Sequence, residues 1–310
     1  MRLLLTIILL VVALFGKGGE NFIVLKDSPN EDAKIIKSSP FLWKATKGDS
    51  VIYLFGTIHI PHPSLEITPK LKTVMKECDV IKTEVKLDDT TKLKASLAFM
   101  RDDGKLLEDI LPKETFKRLD AQLMIINPML SAKAFNRFKI WALFSSLGVL
   151  EYQLKYPKLK PLDKQIYEWA KDNNRSAGGV ESIDEQLGIF DSFNQKEQIA
   201  MLDASLDSLA KEPNQSKKLL INYLKGDGEA ILKQFKASMQ SAKVSEDLKK
   251  RYLDKILYSR NVHMAKRIDA LISKHPKKKY LFAFGAMHFL GQKSVLYYLK
   301  NKGYKIERLK

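Results

Sequence analysis

The chain has 310 residues, 45% of them hydrophobic and 29% charged, the make-up of a folded globular protein and not of a disordered or fibrous one. Its single cysteine, Cys78, excludes an internal disulfide framework and a thiolate cluster, so any metal here has to be held by histidine and carboxylate. The formal charge of +17 comes mostly from lysines scattered among Asp and Glu, with no recognisable reading module; it points away from nucleic acid and towards a solvated surface weakly attracted to anionic envelope or membrane surfaces.

In chain order, Met1-Arg2 is a short positive start, Leu3 to Phe15 is almost wholly apolar, and Gly16-Lys17-Gly18-Gly19 breaks the run. An apolar stretch of about 13 residues fits the core of a secretory signal better than a spanning helix of about 20. Residues 1–19 are therefore read as a signal peptide or an uncleaved N-terminal anchor, which places the mature chain outside the cytoplasm, periplasmic or secreted. Residues 20–40 read as a linker and 41–310 as a single domain.

A hairpin is expected from Trp43, turning at Gly48-Asp49 into the buried strand Val51-Ile52-Tyr53-Leu54-Phe55. Pro69 to Glu77 reads as a helix with Leu71, Val74 and Met75 on its apolar side, and Asp79 to Val85 as the next strand. Residues 88–158 are helical: Leu93, Leu97, Phe99 and Met100 keep helical spacing, and Pro112 opens a further helix. Phe135 to Tyr152 is unusually apolar and is expected to be a core helix, because Arg137, Lys139 and Glu151 leave it too short to span a bilayer.

Pro161-Leu162-Asp163 and Gly178-Gly179-Val180-Glu181 read as strand-and-turn passages around a helix from Lys164 to Lys171. Residues 185–274 are helical and polar-faced, broken at Gly226-Asp227-Gly228. Tyr280-Leu281-Phe282-Ala283-Phe284 is another buried strand, followed by a helix that Gly303 ends and a closing strand from Tyr304 to Leu309. The fold class predicted is α/β, a central mixed sheet built from strands near both ends of the chain with a large helical insertion between them.

Two of these strands run into matched turns, Gly56-Thr57-Ile58-His59 and Gly285-Ala286-Met287-His288. A glycine ending a strand lets the backbone turn sharply, and the histidine projects from the turn at the carboxyl end of the sheet, where open α/β folds keep their sites. Imidazole is the commonest protein metal ligand. Glu84, at the end of its strand, and Glu181, after a Gly-Gly turn, are the accompanying carboxylates. Arg260 and Asn261 lie on a long helix, where Asn is a poor helix former; Arg260 is placed either to hold a substrate carboxylate or to orient Glu181 bidentately. His62 reads as a rim-loop residue, His263 and His275 as helix-surface residues, and Cys78 as a buried inert thiol. Neither a G-x-S-x-G elbow nor H-E-x-x-H is present.

Taken in order, the two G-x-x-H turns, Glu84, Gly179-Val180-Glu181, Ser259-Arg260-Asn261-x-x-Met264 and the Gly303-Tyr304 close resemble the TraB/PrgY/GumN family, which is related to the Tiki metalloproteases and more distantly to the ChaN and erythromycin-esterase-like fold. The resemblance runs from about residue 40 to the end of the chain. It implies a metal-dependent hydrolase or peptidase, acting on a peptide or small-molecule substrate, with His59, His288 and Glu84 at a divalent metal (Mn, Co or Zn), Glu84 and Glu181 as catalytic carboxylates, and Arg260 and Asn261 at the substrate. The alternative is a non-catalytic protein on the same fold that sequesters a peptide or a haem-like ligand, and a third reading is an envelope factor whose Lys-rich face meets anionic polymer.

Overall fold

The computed structural model describes residues 41–309, so the readings of 1–19 and 20–40 lie outside the described residues. The expected hairpin is formed by β1 (Leu42–Lys47) and β2 (Ser50–Thr57). Gly48 closes it at φ +55°, which glycine adopts without steric cost. Helix α1 (Pro69–Glu77) opens with proline in its first turn and with the Thr68 hydroxyl accepting from the Leu71 N–H, and it buries Leu71, Val74 and Met75. Strand β3 (Val80–Thr83) stops one residue before Glu84.

A helical stretch follows: α2 (Asp89–Phe99), α3 (Leu107–Ile110), α4 (Lys113–Ile126), a 3-10 turn (Ala132–Phe135) and α5 (Ile140–Lys155). In α2 the core face is Thr91, Ala95 and Phe99, while Leu93 and Leu97 are 60% and 66% exposed. Two stripes of helical spacing overlap in this segment, and the one ending in Phe99, which packs edge-on against Trp141, faces inward. Helix α5 is a core helix as expected, with Trp141, Phe144, Leu147 and Leu150 all buried.

Helix α6 (Leu162–Asp172) corrects one expectation. Pro161-Leu162-Asp163 is no strand: Pro161 is the cap residue and Leu162-Asp163 form the first helical turn, a position where a fixed φ suits the helix and the missing N–H costs nothing. The chain continues through β4 (Ser176–Gly179), α7 (Ile183–Asp191), α8 (Gln195–Lys211), α9 (Gln215–Leu224), α10 (Gly228–Ser241) and α11 (Glu246–Leu253). A π-helical turn (Asp254–Tyr258) leads into α12 (Ser259–Lys274). Then come β5 (Tyr280–Gly285), a 3-10 turn (Ala286–Phe289), α13 (Val295–Lys300) and β6 (Lys305–Arg308).

The six strands form one mixed sheet in the order β4-β3-β5-β2-β1-β6. Strands β4, β3, β5 and β2 are mutually parallel, while β1 runs antiparallel to both β2 and β6. Every residue of the central β5 is buried, as a parallel strand covered on both faces requires. The carboxyl ends of the four parallel strands therefore share one edge of the sheet. Among the described residues no helix is long and apolar enough to cross a membrane.

Candidate metal centre

Each parallel strand delivers one candidate side chain just beyond its carboxyl end: β2 leads to His59, β3 to Glu84, β4 to Glu181 and β5 to His288. The helices complete the edge. A helix that connects parallel strands runs back against them, so one that leads into a strand begins at the strands' carboxyl edge. Helix α6 leads into β4 and brings Asp163; α12 leads into β5 and brings Arg260 and Asn261.

Close backbone approach explains the glycines. Thr57 pairs with Gly285 in register, which aligns the two histidine turns. A Cβ on Gly56 would lie 2.8 Å from Phe41 Cβ and 3.0 Å from Ala286 Cα, so only glycine lets the turns approach this closely. The Tyr223 hydroxyl donates to the Gly56 carbonyl at 2.7 Å. On the other side, a Cβ on Gly179 would sit 2.6 Å from Lys86 N. There the Glu84 carbonyl accepts the N–H groups of Val180 (2.9 Å) and Glu181 (2.8 Å), tying the two carboxylate-bearing residues together through the backbone.

Glu84 Oε1 lies 3.8 Å from His59 Nε2 and 3.6 Å from His288 Nε2, and it accepts the Gly285 N–H at 2.7 Å. Both imidazoles are gripped at the opposite nitrogen. His288 Nδ1 is 2.6 Å from Asn261 Oδ1, and Asn261 Nδ2 donates to the Lys293 carbonyl at 2.7 Å. With its amide so oriented, Asn261 accepts and His288 donates from Nδ1, leaving a lone pair on Nε2. That Nε2 atom is buried and has no hydrogen-bond partner. His59 Nδ1 stands 3.2 Å from Asp163 Oδ2; a carboxylate can only accept, so here too Nδ1 donates and Nε2 faces Glu84.

The partners set opposite electrostatics. Burial pushes His288 down to about 3, so it is neutral. Burial also works against a charge on His59, but Asp163 and Glu84 outweigh it and raise this imidazole to about 10. Burial opposes the charge of Glu84 as well, yet the imidazoles and the Arg260 guanidinium hold its carboxyl well below the usual carboxylate range.

Arg260 clamps the two glutamates. Its NH2 is 2.6 Å from Glu84 Oε2 and 2.7 Å from Glu181 Oε2, and its Nε lies 3.1 and 3.2 Å from the Glu181 oxygens. Gln186 Nε2 donates to Glu84 Oε2 at 3.0 Å and to Glu181 Oε2 at 3.1 Å. The remaining arm, NH1, donates to the Ile256 carbonyl inside the π turn at 3.1 Å. Such turns leave carbonyls out of the α-helical ladder, and this one serves to anchor the arginine.

The six side chains singled out in the sequence, His59, Glu84, Glu181, Arg260, Asn261 and His288, thus stand around one sheet edge. Sequence reasoning missed Asp163 and Gln186, which lie on helices and carry no motif of their own. His62 is buried, edge-on to the Tyr156 ring at 5.4 Å, and not on an open rim. His263 and His275 are exposed on α12 and at its end. Cys78 is buried, and burial pushes its thiol up to about 12.

Do these residues fit a divalent ion? Among the described residues, no three His, Cys, Asp or Glu side chains stand in a ready-made metal-holding group. The mismatch is small: ligand atoms around a tetrahedral ion with bonds of about 2.1 Å are roughly 3.4 Å apart, against 3.6 and 3.8 Å here. The space between the donors is open because Gly285 lacks a side chain: a Cβ there would lie 3.2 Å from Glu84 Oε1 and 3.4 Å from His59 Nε2. Two imidazoles and a carboxylate, one nitrogen buried without a partner, suit zinc, manganese or cobalt. The two distances from Glu84 Oε1 to the imidazoles come within a few tenths of an ångström of that spacing.

Residues 41–308 match the TraB/PrgY/gumN family. The chain is 26% identical over 316 residues to the "Metalloprotease TIKI homolog" of Nematostella vectensis, covering 87% of this chain and 67% of that protein. It is 27% identical to "Metalloprotease TIKI1" of Danio rerio (86% and 62% covered) and 25% identical to "Metalloprotease TIKI1" of Homo sapiens (86% and 61% covered). It thus spans about two thirds or less of the length of these relatives. No solved structure matches the chain.

Proposed function

The chain belongs to the TraB/PrgY/gumN family, and from that premise we propose that it is a metal-dependent hydrolase of peptide bonds, working outside the cytoplasm. The observation that carries this reading is the pair of imidazole Nε2 atoms turned onto one oxygen of Glu84, with that of His288 buried and unpartnered. His59, His288 and Glu84 would hold the ion. Such an ion, when bound, lowers the pKa of a coordinated water and polarises a carbonyl.

The protein's own groups do the rest. Gly285 N–H fixes Glu84 Oε1 towards the histidines, while Arg260 and Gln186 fix Oε2 on the other side, so the carboxylate presents a single face. Glu181 commits both oxygens to Arg260 and its side chain is only 4% exposed; it acts through the arginine, keeping the guanidinium turned onto Glu84. Of the two glutamates, Glu84 is the one with an oxygen facing the imidazoles. Arg260 and Asn261 are positioning groups in this arrangement, their donors and acceptor engaged by Glu84, Glu181, Ile256, His288 and Lys293. A peptide is the substrate the relatives' names support, and the lysine-rich surface adds weak attraction to anionic envelope material.

Elemental analysis of the purified chain, with a peptide-cleavage screen alongside, tests the proposal. We expect about one equivalent of zinc, manganese or cobalt, and cleavage that chelation abolishes and metal restores. A folded protein that takes up none of the three ions would overturn it and leave ligand capture as the better reading.

A further inference from the structure

Asp163 was singled out by no motif, and its position has an ordinary explanation that fails. An acidic residue in the first turn of a helix is commonly there to oppose the helix dipole from an exposed place. Asp163 is instead buried, 8% exposed. Its Oδ1 is buried with no hydrogen-bond partner, and its Oδ2 is directed at His59 Nδ1 at 3.2 Å. A carboxylate buried with one oxygen unsatisfied destabilises the fold, and an apolar residue would serve a helix start beneath a sheet better. What the fold obtains from it lies at the other oxygen.

We propose that Asp163 is the positioning residue of His59, fixing the ring so that Nε2 faces Glu84 and making that nitrogen the stronger of the two imidazole donors. This rests on the reading of His59 as a metal ligand. The geometry is that of a carboxylate–histidine pair behind a metal, in which an anionic acceptor at one ring nitrogen holds the ring and raises the electron density at the other. His288 supplies the internal contrast: its Nδ1 is held by a neutral amide, Asn261, from the equivalent first turn of α12. Two helices, each leading into a parallel strand, each support one histidine, and the supporting group is a carboxylate in one and a neutral amide in the other. Asp163 approaches no other candidate ligand within hydrogen-bond distance, so its effect on the centre passes through His59.

The test is metal binding by the purified mature chain and its Asp163→Asn and Asp163→Ala variants, titrated with cobalt(II) and zinc(II) as the probes, with thermal unfolding and crystal structures of the metal-free proteins alongside. We expect Kd to rise about 10- to 100-fold in the variants, more for Ala than for Asn. In metal-free Asp163→Ala the His59 ring should leave its orientation towards Glu84. Variants that fold, bind both ions within twofold of the parent and keep the His59 ring in place would overturn the proposal, whatever they lose in melting temperature. Should the parent itself bind neither ion, the metal reading falls, and the ring orientation in Asp163→Ala then decides separately whether Asp163 positions His59.

Discussion

The two G-x-x-H turns are nearly alike as text and unlike as chemistry. In the first, His59 stands in an irregular segment two residues past β2, keeps some exposure and leans on an aspartate; in the second, His288 sits in a 3-10 turn, is fully buried and leans on an asparagine. One imidazole is raised to about 10 and the other lowered to about 3. The glycines diverge too. Gly56 is required by the packing of Phe41 and Ala286 against the strand end, whereas Gly285 keeps space open between Glu84 and His59. A repeated motif thus brings a histidine to the sheet edge; the charge of that histidine comes from the helix residue that meets it.

The largest test removes each ring in turn. His59→Ala and His288→Ala should both reduce metal affinity by at least 100-fold, since either change leaves two donors. Unfolding in urea should separate them: His288→Ala empties a fully buried site and strands the Asn261 acceptor, for a loss of about 2–4 kcal/mol, while His59→Ala should cost clearly less. Equal losses would show that the second turn is no more embedded than the first.

The glycine pair comes next. Gly285→Ala should weaken metal binding by tenfold or more, because its Cβ would lie among the donors, with little change in melting temperature. Gly56→Ala should do the reverse, costing about 1–3 kcal/mol through a backbone clash and leaving the affinity of the folded protein within a few-fold. Reversed outcomes would mean that the two glycines have been given each other's roles.

Proton release sharpens the electrostatic contrast. His59, raised to about 10, is protonated at pH 7–9 in the metal-free protein, and an ion that binds its Nε2 has to displace that proton. His288, lowered to about 3, is neutral already. Uptake near pH 8 should therefore release about one proton, and affinity should rise about tenfold per pH unit until His59 titrates. Calorimetry in buffers of different ionisation enthalpy counts the protons; a count near zero would place His59 in the same neutral state as His288. The smallest effect is expected from Tyr223→Phe, which strips the Gly56 carbonyl of its donor and should cost about 1 kcal/mol of stability, measured by urea titration, with the second turn untouched.

Much of this was legible in the sequence. The hairpin, α1 with its proline start, and the buried strands before each G-x-x-H follow from periodicity and turn residues, which are local signals. The inward stripe of α2 was not, because Leu93 and Leu97 form one stripe of helical spacing and Thr91, Ala95 and Phe99 another, and only tertiary packing selects between them. Pro161 reads as well for an extended passage as for a helix start, and the structure chose the helix. At the site, Asn261 stood out as an awkward residue within a helix, and its Oδ1 meets the His288 ring at 2.6 Å. Asp163 and Gln186 had no such mark. Asp163 meets a histidine 104 positions away, and a contact of that range leaves no trace in local spacing.

The strand order has a consequence for how the candidate centre assembles. β5 lies between β2 and β3, and Val80 of β3 is paired with Tyr280, 200 residues further on. Until that segment has been synthesised and inserted, β2 and β3 lack their shared neighbour, His59 and Glu84 face no second histidine, and two hydrophobic strand edges stand open to wrong partners. The candidate centre therefore assembles in the same step that closes the sheet.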